Sequence, residues 1–242
     1  MSWWHGRPRN KSGVTVISFL GAVLVSLVAL PAQAQQQDAQ LWLQLNTNVP
    51  VAKKLRVTLE QIARFSDRQR GLFQTEIGAL LGYQVADGIE LGFGYRRVGA
   101  YNGNTAADED RIRQQVVATF GHFVTRFRVD ERFNPGGREI GFRIRPLLRY
   151  NRPLAKKGWA VFLSHESFLL PNSTVWGQRS GYERMRNIVG VTLPFGRKVS
   201  ADVGYLNQYR FARGGAQAQM DHALSLQLTV NISPHTGAKL DD

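Results

Sequence analysis

The residues with the most evident chemical potential are Ser164, His165, Glu166 and Ser167, which supply two hydroxyls, an imidazole and a carboxylate in four positions. Serine hydrolysis needs a nucleophile, a base within hydrogen-bond reach and a group that orients the base. Adjacent side chains of a strand point to opposite faces, so His165 shares a face with Ser167 alone. Strand neighbours two apart usually diverge, and no orienting group is evident. His165 and Ser167 are therefore catalytic candidates, but we interpret them as polar residues near a membrane interface and expect no enzyme activity.

Metal binding has less support in the sequence. His122, His165, His222 and His235 show no ligand spacing, and the chain contains no cysteine. The run Asp108–Asp110 is acidic enough to attract a divalent cation, yet such a run is more typical of a solvated loop. We therefore predict no metal site and no cofactor.

A different pattern dominates the stretch Thr125–Asn151. Arginines alternate with Phe, Val, Ile and Leu on both sides of an Asn-Pro-Gly-Gly turn at Asn134–Gly137. A period of two indicates strands with one apolar and one polar face. The stretch is therefore predicted to be a hairpin with guanidinium groups on one side and hydrocarbon on the other.

The same alternation recurs along the chain and predicts about eleven strands. They are Leu41–Val49, Leu55–Phe65, Thr75–Val85, Ile89–Val98, Arg111–Phe120, Thr125–Phe133, Gly141–Tyr150, Trp159–Phe168, Tyr182–Leu193, Val199–Tyr209 and His222–Ile232. No helical segment competes with them after Leu30. Short connectors alternate with longer polar ones, which is typical of an up-and-down antiparallel transmembrane β-barrel. The predicted fold class is therefore all-β.

Alternation alone does not distinguish a water-soluble barrel from an inverted, lipid-facing one. Strand length, arginine density on the polar face and aromatic residues near strand ends favour lipid. The aromatic residues predicted to form two interfacial girdles are Trp42, Phe65, Tyr83, Tyr95, Tyr101, Phe120, Phe123, Phe133, Tyr150, Trp159, Phe168, Tyr205 and Tyr209. A soluble periplasmic β-barrel that binds an acidic ligand is the alternative.

The polar faces of these strands define the predicted lumen, with thirteen arginines, six carboxylates and no lysine. The set is Arg56, Glu60, Arg64, Glu76, Glu90, Arg96, Arg113, Arg126, Arg128, Asp130, Arg132, Arg143, Arg145, Arg149, Glu166, Arg184, Arg186, Asp202 and Arg210. Because the planar guanidinium can bridge several acceptors, arginine suits an interior ladder of ion pairs. The arginines of the Thr125–Asn151 hairpin outnumber Asp130, so we expect them to recruit acids from other strands. A structural ionic core is favoured over an anion pathway.

The N-terminal segment resembles a secretory signal peptide. Arg7, Arg9 and Lys11 precede an apolar run at Val14–Leu30, and Ala32-Gln33-Ala34 follows Pro31. We predict cleavage after Ala34 and one barrel domain over residues 35–242, inserted by the barrel-assembly machinery into the outer membrane of a Gram-negative bacterium. An uncleaved membrane anchor is the alternative.

The formal net charge of +13 raises the question of nucleic-acid binding. Export and the spread of arginines over strand faces argue against it. Arginines in the predicted loops are instead expected to meet outer-membrane lipid and lipopolysaccharide phosphates. These are Arg68, Arg70, Arg138, Arg179 and Arg213.

Several short motifs occur in a characteristic order along the strands. They are GYRR at Gly94–Arg97, RxRxDxRF at Arg126–Phe133, RxR at Arg143–Arg145, His165-Glu166 before Phe168, RxR before a glycine strand at Arg184–Gly190, and VGYLNQY at Val203–Tyr209. This combination resembles the bacterial family called domain of unknown function 2490. The resemblance implies an outer-membrane β-barrel over essentially the whole mature chain and assigns no activity. Asp130 stands where relatives tend to have Glu, which shortens the reach of an ion pair there.

Two features do not fit a standard barrel. Bacterial single-chain barrels have even strand numbers, so eleven candidates predict ten or twelve strands, with one missed before Leu41 or one segment outside the membrane. Pro146 removes a ladder hydrogen bond within a predicted strand and suggests a bulge or an edge-like irregularity. The expected function is a structural or passive, porin-like transport role that favours small anions. A lipid A- or phospholipid-modifying enzyme is the competing membrane function.

Overall fold

The computed structural model describes residues 36–102, 104, 107–154 and 158–232. The predicted signal peptide at residues 1–34 lies outside the described residues. The strands are β1 Gln36–Ala52, β2 Leu55–Ser66, β3 Gly71–Ala86, β4 Ile89–Ala100, β5 Glu109–Phe120, β6 Phe123–Phe133, β7 Gly141–Pro153, β8 Ala160–Leu170, β9 Gly181–Phe195, β10 Val199–Arg210 and β11 Gln219–Asn231. Each overlaps one predicted strand. Within these ranges, no helix is long and apolar enough to cross a membrane.

The eleven strands form one closed barrel in which each strand pairs with its sequence neighbours. Ten of the eleven pairings are antiparallel, and β1 closes the barrel by pairing in parallel with β11 from Gln36↔Gln219 to Asn48↔Asn231. The parallel pair is a consequence of the odd number, because the first and last of eleven alternating strands point the same way. The predicted choice between ten and twelve strands was wrong. Among the described residues, no separate strand precedes the one that contains Leu41, and that strand starts earlier than predicted, at Gln36.

The two rims of the barrel differ. One rim carries the short connections, such as Lys53-Lys54, Asp87-Gly88 and Gly121-His122, and the other carries the longer loops, which include residues 134–140, 171–180 and 211–218. We call them the turn rim and the loop rim. β1 begins at the loop rim and β11 ends at the turn rim. The position of a side chain along the barrel can therefore be described by which of the two rims it lies nearer.

The faces of the barrel have inverted polarity. Apolar side chains such as Ile77, Phe93 and Leu163 point outward and are 65%, 58% and 58% exposed, whereas Glu76 and Arg113 point inward and are 1% and 0% exposed. Alternation along each pleated strand produces this separation. Many of the large hydrophobic residues therefore lie on the outside of the barrel, and most of the buried polar residues are charged side chains that point into its interior.

Inward glycines make room for long inward side chains. A Cβ on Gly82 would lie 2.8 Å from the Glu90 carboxyl carbon, and one on Gly92 would lie 2.7 Å from Cγ of Gln115. Pro146 has a related local effect, because the β7–β8 ladder is interrupted between Ile144↔Leu169 and Leu147↔Glu166. The strand itself continues through Pro146 in register with β6, so the expected bulge is a gap in one ladder.

Candidate functional site

The lumen contains a dense network of ion pairs. Glu60 on β2 accepts from Arg96 on β4 at 2.8 Å and from Arg113 on β5 at 2.5 Å. Glu76 on β3 accepts from Arg96 at 2.5 Å and from Arg64 at 2.8 Å. Each carboxylate therefore bridges arginines from two other strands, and Arg96 joins the two acids to each other.

A second centre lies farther along the wall, on β6 to β9, and begins next to the first, because Asp130 is the cross-strand partner of Arg113. Asp130, which is fully buried, accepts from Arg143 at 2.6 Å and from Arg145 at 3.3 Å. Glu166 accepts from Arg126 at 2.5 Å, from Arg145 at 2.9 Å and from Arg186 at 3.3 Å. The arginines of the Thr125–Asn151 hairpin therefore take acids from strands outside the hairpin.

Polar contacts continue toward both rims. Near the turn rim, Arg56 pairs with Glu90 at 2.7 Å and Arg149 pairs with Asp202 at 2.7 Å. Arg128 is buried, and both its Nε and its Nη2 donate to the amide oxygen of Gln115, at 2.9 and 2.6 Å. The acceptor for this arginine is thus an amide oxygen. A search of the sequence for carboxylate partners would not have identified it.

Arg111 and four carboxylates in the interior lie outside the predicted lumen set. The carboxylates are Asp38, Glu109, Glu183 and Asp221, and all five residues are buried or half-buried. Glu109, Arg111 and Arg113 share one face of β5. Extending the alternation of the predicted strand two residues before Arg111 would therefore have placed Glu109 on the inward face. The predicted strands also began after Asp38 and Asp221. Glu183 breaks the alternation of its strand, so its place in the interior could not be predicted from the period of two.

These additional acids complete the interior pairing. Arg132 pairs with Glu109 at 2.6 Å, Arg210 lies 3.4 Å from Asp221, and Arg184 pairs with Glu183. The excess of arginine over carboxylate is therefore smaller than the predicted set implied, and the interior is closer to charge balance.

Two aromatic residues assigned to the interfacial girdles lie in the lumen instead. Trp42 and Phe168 are 7% and 2% exposed. The Trp42 ring is 4.0 Å from the guanidinium of Arg64 and 4.6 Å from that of Arg186, and Phe168 lies 4.7 Å from that of Arg145. Their girdle assignment was wrong, because both occupy inward positions where cation–π contact with arginine replaces contact with lipid.

Two cavities lie along the lumen of the described barrel. One of about 140 Å³ lies toward the loop rim, and another of about 280 Å³ lies toward the turn rim. Arg64, Arg96, Arg145 and Arg186 line both cavities, and we call these four residues the arginine layer. Loop 171–180 covers the loop side, where Gln178 receives a hydrogen bond of 2.8 Å from Arg132 and Trp176 donates one of 2.8 Å to the carbonyl of Glu139.

Another group of polar residues, separate from the lumen network, lies on the outer surface of the barrel wall. His165 on β8 is exposed, its Nε2 is 3.0 Å from Oγ of Ser167, and its Nδ1 is 2.7 Å from Oδ1 of Asn187 on β9. The hydroxyl of Tyr182 lies 2.8 Å from Oγ of Ser167. We call these four residues the outer-wall array. The expected divergence of His165 and Ser167 was wrong, and the structure supplies the orienting group, Asn187, that sequence reasoning missed.

Among the residues that the structure describes, no group of three or more His, Cys, Asp or Glu side chains is arranged to hold a metal ion. The acidic run at Asp108–Asp110 is used in other contacts. Arg97 pairs with Asp108 at 3.1 Å and with Asp110 at 2.9 Å, and Glu109 turns into the lumen. These contacts explain the run without a bound cation.

Comparison with known proteins identifies the family of this chain. A family model described as "Protein of unknown function (DUF2490)" matches residues 39–219, which include most of β1 and all of β2 to β10. An uncharacterized protein of Methylorubrum extorquens is 33% identical over 228 residues, covering 84% of this chain and 93% of that protein. No solved structure matches. The family match spans most of the chain, and the protein therefore belongs to the family of unknown function DUF2490.

Proposed function

We propose that this protein is an outer-membrane β-barrel whose sealed, ion-paired lumen makes it a rigid membrane scaffold. The observation that carries the proposal is the inverted polarity of the wall, with exposed Ile77, Phe93 and Leu163 outside and buried Glu76 and Arg113 inside. A large contiguous apolar exterior is unfavourable in water and is expected in lipid. An outer concavity of about 580 Å³, lined mostly by apolar side chains of β1, β2, β3, β10 and β11, extends this surface.

The arginine layer favours a scaffold role, as opposed to an open pore. Its four guanidinium groups line both cavities and are ion-paired with Glu60, Glu76 and Glu166. Opening a path would separate buried charges from their partners, which costs several kcal/mol for each pair. Trp42, packed between Arg64 and Arg186, further fills this level.

Passive anion transport is the second candidate, and the arginine lining of both cavities favours it. An anion entering from either rim would meet guanidinium groups before it met the arginine layer. Transport would then require the layer to rearrange, so this candidate predicts conductance that begins only after a stimulus.

Membrane placement is tested by fractionation and by gel mobility. We expect the protein in the outer-membrane fraction and a shift in mobility when the detergent-extracted protein is heated, because folded barrels resist unfolding in detergent. Protein in the periplasmic fraction, with mobility that ignores heating, would instead support the soluble barrel that binds an acidic ligand.

The sealed lumen is tested by planar-bilayer conductance of the purified protein. Wild-type protein is expected to be silent, while Trp42→Ala, which removes the ring between Arg64 and Arg186, is expected to conduct with anion preference. A large, steady wild-type conductance would reject the scaffold and support the pore. Tyr83→Ala, on the outer surface, is the aromatic control.

The proposed membrane partners are outer-membrane lipid, lipopolysaccharide and the barrel-assembly machinery. Loop cations support the lipopolysaccharide contact, because Arg179 and Arg213 lie together at the loop rim, where Arg213 donates to the carbonyls of Arg179 and Ser180. Such cations suit phosphate groups at a membrane surface.

A further inference from the structure

From the outer-wall array we infer that the protein hydrolyses acyl esters of phosphate-bearing lipids, with Ser167 as nucleophile, His165 as general base and Asn187 as the positioning residue. The inference rests on the proposed membrane placement. The array is separated from the lumen network by the barrel wall, because His165 and Ser167 face outward while Ser164 and Glu166 on the same strand are buried inside.

The hydrogen bonds have the order that an activated serine requires. Nδ1 of His165 lies 2.7 Å from Oδ1 of Asn187, an amide oxygen that can only accept. In the neutral imidazole this contact places the proton on Nδ1, so that Nε2, 3.0 Å from Oγ of Ser167, is the acceptor for the serine hydroxyl. A nucleophile, a base and an orienting oxygen within hydrogen-bond reach of one another define catalytic triads on unrelated folds. An amide oxygen serves as the third member in some of them.

Local irregularities in the sheet bring these groups together. The β8–β9 register shifts between Phe168↔Arg184 and Leu169↔Tyr182, so Glu183 is an extra residue on β9. Such a bulge bends its strand and re-aims side chains. Here Tyr182 is turned outward, to within 2.8 Å of Ser167. On the other side, Ser167 lies where the β7–β8 ladder is interrupted at Pro146.

The surroundings of the array match an amphiphilic ester. Toward the turn rim, the outer wall presents hydrocarbon from Leu148, Leu163 and Val189, which are 49%, 58% and 55% exposed. Toward the loop rim, Tyr182 packs against Phe211 with ring centroids 5.0 Å apart. An acyl chain can therefore lie against the apolar wall with its ester at Ser167.

Cations lie beyond this aromatic pair. Nη2 of Arg213 lies 3.7 Å from the position that a Cβ on Gly181 would take, immediately before Tyr182. The guanidinium of Arg179 lies against Gly214 in the same loop region. A phosphate of the same lipid can meet these guanidinium groups while its ester reaches the array. Glycerophospholipids and lipid A share this chemistry of an acyl ester beside a phosphate.

The reaction proceeds in two balanced steps. Oγ of Ser167 bonds to the acyl carbon as its proton passes to Nε2 of His165, and the ester C–O bond breaks with the leaving oxygen taking that proton. Water then attacks the acyl-serine and gives a proton to His165, which returns it to Oγ of Ser167 as the fatty acid leaves. The hydroxyl of Tyr182 is placed to donate to the acyl oxygen as negative charge develops there.

The first test is covalent labelling of the full-length protein in detergent with an alkyl fluorophosphonate, read by mass spectrometry. We expect one label on Ser167, which Ser167→Ala removes and His165→Ala slows by about a thousandfold or more. Asn187→Leu should slow labelling at least about tenfold, and Asn187→Asp, which keeps an oxygen acceptor, should restore it. Two controls are used: Ser164→Ala, whose hydroxyl lies inside the barrel, and His222→Ala, whose half-buried ring contacts Tyr205. Heat-modifiable mobility verifies that each variant is folded.

The second test measures fatty-acid release in two arms: vesicles of phosphatidylethanolamine and phosphatidylglycerol, and lipopolysaccharide aggregates. Release in either arm that depends on Ser167 supports the inference and identifies the lipid. An unlabelled Ser167 in a folded barrel, absence of release from both lipids, or release that survives Ser167→Ala overturns it. Since labelling needs no membrane and fractionation needs no activity, failure of the hydrolase inference is distinguishable from failure of the membrane scaffold.

Discussion

Replacing Glu166 with Gln tests whether the lumen is a dry ionic core. Glu166 is 4% exposed and accepts from Arg126, Arg145 and Arg186. The glutamine has nearly the same shape, so the substitution removes a charge and leaves little change in packing volume. Three guanidinium groups would then lose their shared anion at one position.

The expected loss can be estimated from measured ion pairs. Removing one partner of a buried pair costs about 3–5 kcal/mol, because the remaining charge stays buried and uncompensated. At about 1.4 kcal/mol per tenfold change, this is roughly two to four powers of ten in the unfolding equilibrium constant. Glu90→Gln is the matched control, since Glu90 pairs with Arg56, whose side chain is 44% exposed. Exposed pairs contribute about 1 kcal/mol or less.

The assay is urea unfolding of the barrel in lipid vesicles, followed by tryptophan fluorescence and by heat-modifiable mobility. We expect Glu166→Gln to unfold at a clearly lower urea concentration than wild type, and Glu90→Gln to stay close to it. Equal midpoints for Glu166→Gln and wild type would mean that water screens the interior charges, which would refute the sealed lumen and favour a hydrated pathway.

Three further predictions follow from the wall and the loops. Cysteines at Leu41 and Leu224, which are partners in the parallel β1–β11 pair about 4.8 Å apart, should be joined by a short thiol crosslinker, whereas Leu41 with Leu163 on β8 should not; the reverse result in a gel-shift assay would contradict the eleven-strand closure. Gly78→Ala should lower the free energy of unfolding by about 1–3 kcal/mol, because the added Cβ would lie 2.4 Å from the carbonyl oxygen of Tyr95; an unchanged urea midpoint would show that β3 and β4 can separate there. Neutralising the loop arginines together should reduce lipopolysaccharide co-purification, and unchanged co-purification would contradict their proposed role. The arginines to be replaced are Arg68, Arg70, Arg138, Arg179 and Arg213.

Alternation in the sequence was sufficient to predict the strands. Eleven segments with a period of two overlap β1 to β11, and most bounds differ by only a few residues, because the pleat forces side chains to alternate whatever surrounds them. The larger errors lie at the loop rim, where β1 starts at Gln36 and β3 at Gly71, since polar strand ends there look like loop residues. The even strand count came from the usual behaviour of bacterial barrels, and the parallel β1–β11 pair removes that constraint.

Strand parity indicated which charges share a face but not which acids each arginine meets. Arg149 reaches Asp202 and Arg113 reaches Glu60 across the lumen, and these contacts depend on barrel closure and strand stagger. Trp42 and Phe168 were not distinguished from the aromatic residues of the outer wall, because the girdle assignment relied on residue type and not on the face of the strand.

The sequence by itself determined the fold class, the strands and most of the charged face, because these depend on local periodicity. Only the tertiary structure decided three features: the parallel closure, the arginine layer across the lumen, and the contact of Asn187 and Tyr182 with His165 and Ser167. The last of these requires the β8–β9 register and the bulge at Glu183, which set the approach of residues about twenty positions apart in the chain. Registers and bulges arise from the pairing of two strands, so the sequence of either strand alone does not specify them.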